Sequence, residues 1–345
     1  MNDNYNIIGI NEIADLAGVS SSAVSNWRKR DSNFPLPITE LKSGPVFNYD
    51  QIRRYLKKRK VHMAHVISTI NLKGGVAKTT STVALGEFLS AEFSKKVLIV
   101  DLDPQTNATV MLIGDEKWKE LDEQDYTLAR LFEDALDPEN PKFNLSKSIQ
   151  KNVSDVSAVK KLDLIPSSLK LIDIQDRIVS APQGKFYSQN PTDILKRALR
   201  TVVDDYDYIL IDCPPNLGII TLNGLKISDG YIIPTIPDIL STYGIPQIVS
   251  RIEDFSHNIG ENIDNFGIIA TKVDARNTIH NNIMRQLKKK KDGPFFNAII
   301  RQTTQSSAAA EYNTDRNTLR QKWGYQGQYD DYLSLTSELI ERVEK

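Results

Sequence analysis

The chain has 345 residues, 40% hydrophobic and 25% charged, with 43 Lys and Arg against 44 Asp and Glu. That composition supplies apolar material for one large globular domain and a smaller one, and it excludes a chain that stays solvated without a core. The single cysteine, Cys213, rules out an internal disulfide and any zinc finger or iron–sulfur cluster that needs two thiolates from one chain, and it points to a reducing, cytoplasmic setting. Met1 to Asn6 lacks the basic stretch and apolar core of a signal peptide, and no apolar run approaches bilayer length, so a soluble protein is expected. Residues 1 to 60 hold 10 Lys and Arg and 6 Asp and Glu, a net of +4, which leaves 33 and 38, a net of −5, for the rest. A basic head before an acidic body is the layout expected when one module touches nucleic acid.

In chain order, Ile13, Leu16 and Ala17 recur at helical spacing, Gly18 breaks that helix, and Ser20 can cap a second whose Ala23, Val24 and Trp27 share a face. The polar face of the second helix carries Ser21, Ser22, Ser25, Asn26, Arg28 and Lys29, side chains suited to base edges and phosphates. A Ser43-Gly44-Pro45 turn between extended residues predicts a wing-like hairpin. Asp50 then opens a helix ending in the basic run Arg53, Arg54, Lys57, Lys58, Arg59 and Lys60. Taken in this order, the Gly-Val-Ser turn, Asn26-Trp27-Arg28, Phe34-Pro35-Leu36-Pro37 and the hydrophobic-basic helix resemble the MerR/excisionase-like winged-helix modules.

From about His62 the pattern changes. Val66 to Ile70, Val97 to Val100, Leu162 to Ile165, Tyr208 to Ile211, Tyr231 to Ile236, Phe266 to Thr271 and Ala298 to Ile300 are β-branched runs alternating with helical patterns. Such runs predict an α/β domain with a mostly parallel sheet covered by helices on both faces. Residues 114 to 160 and 305 to 330 are polar and weakly periodic, and are expected to form surface loops and short helices. The expected domains are therefore 1–62 and 63–345.

Directly after the first of these strands comes Asn71-Leu72-Lys73-Gly74-Gly75-Val76-Ala77-Lys78-Thr79-Thr80, followed by a helix-compatible stretch to about Phe93. Strand, glycine loop, Lys-Thr and helix form a phosphate cradle. Backbone N–H groups and the helix N-terminus meet phosphate oxygens, Lys78 reaches the β- and γ-phosphates, and the Thr79 hydroxyl can ligate Mg²⁺. The strict Walker pattern demands glycine where Leu72 and Ala77 stand, and Lys73 is an added feature. If residue 77 needs a positive φ, alanine there costs about 1 kcal/mol, a burden on turnover more than on binding. Asp101 and Asp103 lie just beyond a buried strand in Asp101-Leu102-Asp103-Pro104-Gln105, and Asp212 ends the strand Tyr208 to Ile211, where open parallel sheets bind ligands. Cys213 reads as buried packing.

The loop Lys73-Gly74-Gly75-x-x-Lys78-Thr79-Thr80 resembles the deviant Walker A of the ParA/MinD group. Asp101 to Gln105 resembles the Walker A′ motif of the ParA partition ATPases, and Tyr208 to Pro215 a Walker B strand. Leu162 to Ser168, Leu222 to Leu225 and Ile232 to Pro234 fall in the family's order, so the likeness covers most of residues 65 to 345 and is weakest after Ile300. The resemblance implies a P-loop NTPase fold and a partition ATPase using ATP and Mg²⁺. In it Lys73 reaches across a homodimer to the partner's nucleotide, Asp103 positions or activates the attacking water, and Asp101 and Asp212 lie by the metal with Thr79. It further implies nonspecific DNA binding, for which Lys288 to Lys291 with Arg276, Arg285 and Arg301 are the candidates. A ParB-like centromere-bound adaptor, operator DNA on the N-terminal module and a nucleoid-associated, membrane-free location complete the expectation. Lys288, Lys289 and Arg301 are the named DNA contacts of that set, beside those of the second helix. Three alternatives stay open. Thr271-Lys272-Val273-Asp274 matches a guanine-reading pattern. A transcription regulator switched by nucleotide with negligible turnover would use the same loop. A MinD-like membrane ATPase would need a basic amphipathic C-terminus, whereas Leu333 to Lys345 carries Glu338, Glu341 and Glu344.

Overall fold

In the computed structural model, which describes residues 7–59, 63–180, 190–289, 293–304, 308–324 and 327–344, the chain divides into two units, Met1–Ala64 and His65–Lys345. The first runs β1 (Ile7–Gly9), α1 (Ile10–Ala17), α2 (Ser21–Arg30), β2 (Thr39–Leu41), β3 (Gly44–Asn48) and α3 (Tyr49–Lys58). Gly18 ends α1 at φ 63°, and the Ser20 hydroxyl accepts the Ala23 N–H at 3.3 Å to start α2. The hairpin read from the Ser43-Gly44-Pro45 turn is β2 paired antiparallel with β3, in a three-stranded sheet of order β1-β3-β2. The helix expected to open at Asp50 begins one residue earlier, at Tyr49, and is capped by Asn48, whose Oδ1 accepts the Asp50 and Gln51 N–H groups, each at 3.0 Å.

This unit closes around Ile8, Ile13, Val24, Phe34, Phe47, Ile52, Tyr55, Leu56 and Met63. Phe34 meets Phe47 and Tyr55 edge-on, at centroid distances of 5.3 and 4.9 Å, a geometry that adds about 1 kcal/mol per pair beyond burial. The basic run of α3 is not a solvated row. Arg53 is buried and donates to the Ala64 carbonyl at 3.0 Å, while Arg59 pairs with Asp31 at 2.8 Å and lies 4.5 Å from the Trp27 ring centroid. Lys60 and the expected boundary at residue 62 fall outside the described residues.

The second unit runs β4 (His65–Thr69), α4 (Lys78–Ala91), β5 (Val97–Asp101), α5 (Asn107–Glu123), α6 (Leu128–Leu136), α7 (Leu145–Ser148), β6 (Leu162–Ile165), α8 (Leu171–Ser180) and α9 (Ile194–Leu199). It continues with β7 (Tyr208–Asp212), α10 (Ile219–Ile227), β8 (Gly230–Thr235), α11 (Ser241–Ile259), β9 (Asp264–Val273), α12 (Thr278–Lys289), β10 (Phe295–Arg301), α13 (Leu319–Trp323) and α14 (Gln328–Val343). All seven β-branched runs lie in one sheet of order β10-β9-β8-β4-β7-β5-β6, and every strand pairing in it is parallel. Both faces are covered, as continuous Val/Ile runs require. Ile67, Ile99, Leu164 and Leu210 join α4 and α14 in one core, while Ile211 and Leu102 pack at Gly224 of α10 on the other face.

The polar stretches expected at the surface contribute to the core instead. Val153, Val156, Val159, Leu319 and Trp323 are buried in the same cluster as Phe88 and Leu89 of α4. Val153, Val156 and Val159 come from irregular chain, and Leu319 and Trp323 from a helix of only 5 residues, so neither offers a period to detect.

Candidate nucleotide site

The centre of the sheet builds the site. β4 lies between β7 and β8, so the chain leaves it in one direction and later steps over it, which is the switch point where open α/β sheets take ligands at their C-terminal ends. Residues 70–77 leave β4 there and deliver the N-terminus of α4. Gly75 sits at φ 74°, a conformation open to glycine, and added Cβ atoms at Gly74 and Gly75 would meet nothing within 4 Å. Ala77 adopts φ 64° and ψ 33° as the residue before α4, so the positive φ that glycine would relieve is present. Alanine there costs about 1 kcal/mol of backbone strain.

Two side chains, Asn71 and Thr271, hold the loop. Asn71 accepts the Lys73 N–H at 2.9 Å and donates to the Pro234 carbonyl at 2.8 Å, and Thr271 donates to the Val76 carbonyl at 2.9 Å. Thr271 is also the first residue of the guanine-reading pattern Thr271-Lys272-Val273-Asp274. In the structure its hydroxyl is spent on the loop, and Asp274 accepts from the Arg276 backbone N–H at 3.0 Å and its Nε at 3.2 Å.

Beneath the loop the predicted charges converge. Asp101 and Asp212 are direct cross-strand partners in β5 and β7. Lys78 is buried, and that burial pulls its pKa down against the attraction of Asp212 and Asp103. Burial pushes the Asp212 carboxyl up to about 7, against the Thr79 hydroxyl, which hydrogen-bonds its charged form. Thr82 donates to Asp212 Oδ1 at 3.3 Å, whereas the buried Oδ2 has no hydrogen-bond partner. Asp101 differs. Burial and then the neighbouring Asp212 hold it well above the usual carboxylate range, and both its oxygens are taken, Oδ1 by the Asp103 N–H at 3.1 Å and Oδ2 by Thr109. Asp212, and not Asp101, offers the open oxygen.

Lys73 is not at the phosphate end of this cluster. Its ammonium pairs with Asp238, just past β8, and Asp238 also accepts the Ser241 N–H at 3.0 Å. Sequence reasoning missed Asp238, which lies far along the chain and carries no motif of its own. Thr80 lies in the first turn of α4, half-buried.

The predicted DNA residues lie elsewhere. On α2, Ser22, Asn26 and Lys29 are exposed, Ser25 is half-buried, Ser21 donates to Asn11 at 2.7 Å, and Arg28 is paired with Glu40 of β2. Lys288 and Lys289 end α12, Lys288 lying 5.4 Å from the Phe295 ring centroid, while Lys290 and Lys291 fall outside the described residues. Arg301 is committed to Asp331 at 2.6 Å and to the Gly327 carbonyl at 2.8 Å. A guanidinium already neutralised in this way is a poor phosphate contact.

Residues 64–265 match the model of the AAA_31 family, an AAA domain. The sporulation initiation inhibitor protein Soj of Bacillus subtilis is 30% identical over 250 residues, which are 72% of this chain and 89% of that protein. A cobyrinic acid a,c-diamide synthase from Mycobacterium smegmatis, solved with bound ADP and magnesium, is 29% identical with a TM-score of 0.57, covering 72% of this chain and 91% of that one. A putative plasmid partition protein from Borrelia burgdorferi B31, bound to AMPPNP, shares the fold at 22% identity and a TM-score of 0.59, covering 81% of this chain and all of that one at 100%. With the glycine loop, Lys78 and the two strand-end carboxylates in place, the chain belongs to the AAA_31 family as a ParA/Soj-like P-loop ATPase domain.

Proposed function

We propose that this chain is an ATP-dependent DNA partition ATPase with its own operator-reading head. The observation that carries the reading is the convergence of Lys78, Asp103 and Asp212 beneath the glycine loop, with one buried Asp212 oxygen left without a partner. That orphaned oxygen and the Thr79 hydroxyl beside it fit a hard cation. Among the described residues no group of three or more His, Cys, Asp or Glu is placed to hold a metal alone, which suits Mg²⁺ that arrives on nucleotide phosphates. Mg²⁺ would neutralise phosphate charge there, as it accompanies nucleotide in the mycobacterial structure. Lys78 and the loop N–H groups bind and orient the β- and γ-phosphates, and Asp103 orients the attacking water.

ATP closes a homodimer in which Lys73 reaches the partner's phosphates. To do so Lys73 must leave Asp238 of its own chain. That ion pair is about one-third exposed on each side, so it is worth no more than about 1 kcal/mol. Asp238→Asn keeps the acceptor for Ser241 and removes the charge. It is expected to strengthen ATP-dependent dimerisation by up to about fivefold, measured by static light scattering across an ATP titration. A weaker or unchanged dimer would show that the pair does not restrain Lys73.

The first unit reads operator DNA through Ser22, Asn26 and Lys29 on the exposed face of α2, with Ser21, Ser25 and Arg28 shaping that face. Lys288 and Lys289 contribute to nonspecific DNA binding, and a ParB-like adaptor stimulates hydrolysis. The cytoplasm and the nucleoid are its proposed location. The testing experiment compares ATP and GTP hydrolysis with and without DNA, and with EDTA, for wild type and Asp103→Ala. Hydrolysis of ATP over GTP that EDTA and Asp103→Ala each abolish is the expected result. Tight binding without turnover under every condition favours the nucleotide-switched regulator instead.

A further inference from the structure

The Ile165-Pro166-Ser167-Ser168 turn after β6, which the sequence placed only by its order, lies against the loop that carries Asp103. The Ser167 hydroxyl donates to the Asp103 carbonyl at 2.7 Å, and the Thr106 N–H donates to the same oxygen at 2.9 Å. The Ser167 N–H donates to the Thr109 hydroxyl at 3.0 Å. That hydroxyl in turn donates to Asp101 Oδ2 at 2.6 Å, where the Thr109 N–H also arrives at 2.9 Å. Asp101 Oδ1 accepts the Asp103 N–H, which closes the ring. Ser167, Thr109 and Asp101 are each fully buried. The far side is anchored as well, since the Trp118 indole N–H donates to the Ser167 carbonyl at 3.2 Å.

We propose that Ser167 and Thr109 are positioning residues for hydrolysis: through the Asp103 carbonyl and the Asp101 carboxylate they fix the backbone from which the Asp103 side chain is presented. Neither side chain touches nucleotide in this account. The proposal rests on the hydrolysis reading above, in which Asp103 orients water, and it gives that reading its mechanical support. The Asp103 N–H and C=O are both held by buried partners, so the carboxylate can vary only through its own side-chain rotations, and Gln105 N–H restrains Oδ1 further at 2.9 Å. Misplacing such a group by about 1 Å costs on the order of a hundredfold in rate without removing any binding contact.

The test uses the full chain with Ser167→Ala, Thr109→Val and Thr109→Ser, beside Asp103→Ala. Steady-state kcat and KM for Mg-ATP and the Kd for ADP are measured, and amide hydrogen exchange of residues 103–109 is followed in the ADP complex. Ser167→Ala and Thr109→Val are expected to lower kcat about ten- to hundredfold, with KM and the ADP Kd within about twofold. Thr109→Ser keeps both the hydroxyl and the N–H and is expected to restore kcat to within about threefold. A kcat within about twofold of wild type in Ser167→Ala and Thr109→Val overturns the proposal. So does a KM that rises as kcat falls, or a Thr109→Ser variant as poor as Thr109→Val. If wild type itself does not hydrolyse ATP, or Asp103→Ala is as active as wild type, the hydrolysis reading has failed. Amide exchange then decides the pinning alone: faster exchange at 103–109 in Ser167→Ala sustains it, and unchanged exchange overturns it.

Discussion

Lys78→Ala is expected to lower affinity for ADP and for a non-hydrolysable ATP analogue by about a hundredfold or more, to abolish ATP-dependent dimerisation, and to leave the fold intact. Lys78 opens α4, is buried, and points back under the loop with Nζ 3.4 Å from the Lys73 carbonyl. Its attraction to the Asp212 and Asp103 carboxylates opposes the desolvation that lowers its pKa. A phosphate entering this site brings further negative charge into surroundings already crowded with it. Charge-assisted hydrogen bonds from a buried ammonium are worth about 1.5–3 kcal/mol each, so losing two accounts for a factor between about 10² and 10⁴. Without the lysine, the negative charge of Asp103 and of ionised Asp212 faces the ligand with no local cation to offset it. Titration calorimetry with ADP checks the expectation, and an affinity within about fivefold of wild type would remove Lys78 from the phosphate-binding role.

The parts of this site that the sequence displayed are those made by contiguous chain. The glycine loop, Asp101 at the end of β5 with Asp103 just past it, and Asp212 at the end of β7 each follow a run of Val, Ile or Leu, and parallel strands align those run ends in space. Strand existence was legible for the same reason: a strand buried on both faces must be apolar throughout. What remained hidden depends on residues distant in sequence. Nothing near Lys73 predicts that Asp238 receives it, and Ser167 looks like an ordinary turn serine until the fold sets it on the Asp103 carbonyl. Hydropathy also misplaces charged residues that are buried in pairs, because it scores each as though it faced water. That is why the segment ending at Trp323 read as surface. The basic head shows the converse error: Arg53, Arg59 and Arg28 read as a phosphate-facing set, and the fold spends each on a partner within the same unit.

Lys322→Met is expected to destabilise the second unit by about 3–5 kcal/mol. At its size this lowers the melting temperature by on the order of 10 °C. Lys322 has no exposed surface, and its ammonium lies 2.7 Å from Glu87 of α4 and 2.6 Å from Asp155, both also without exposure. Arg316 pairs with the other oxygen of Asp155, the Trp323 indole N–H donates to Glu87 Oε2 at 2.8 Å, and Ser154 donates to Glu87 Oε1 at 2.7 Å. Two carboxylates and two cations thus balance inside the core, and they tie irregular chain near 155 and helix α13 to the helix that forms the phosphate loop's floor. Methionine fills the volume and removes the charge, which leaves Glu87 ionised with only neutral donors. The penalty comes from that abandoned charge more than from the lost pair, so Lys322→Met with Glu87→Gln, which keeps an acceptor for Trp323, should recover part of the loss. Thermal unfolding of the two variants decides it. A single variant that melts within about 2 °C of wild type, or a double variant less stable than the single, would mean that the network is solvated or redundant. Neither change touches the loop or the carboxylates at the strand ends, so folded Lys322→Met should bind ADP with nearly wild-type affinity at low temperature. Lys78→Ala should do the reverse, binding ADP about a hundredfold or more weakly while melting close to wild type, and the pair of variants thereby separates what holds α4 in place from what its N-terminus does.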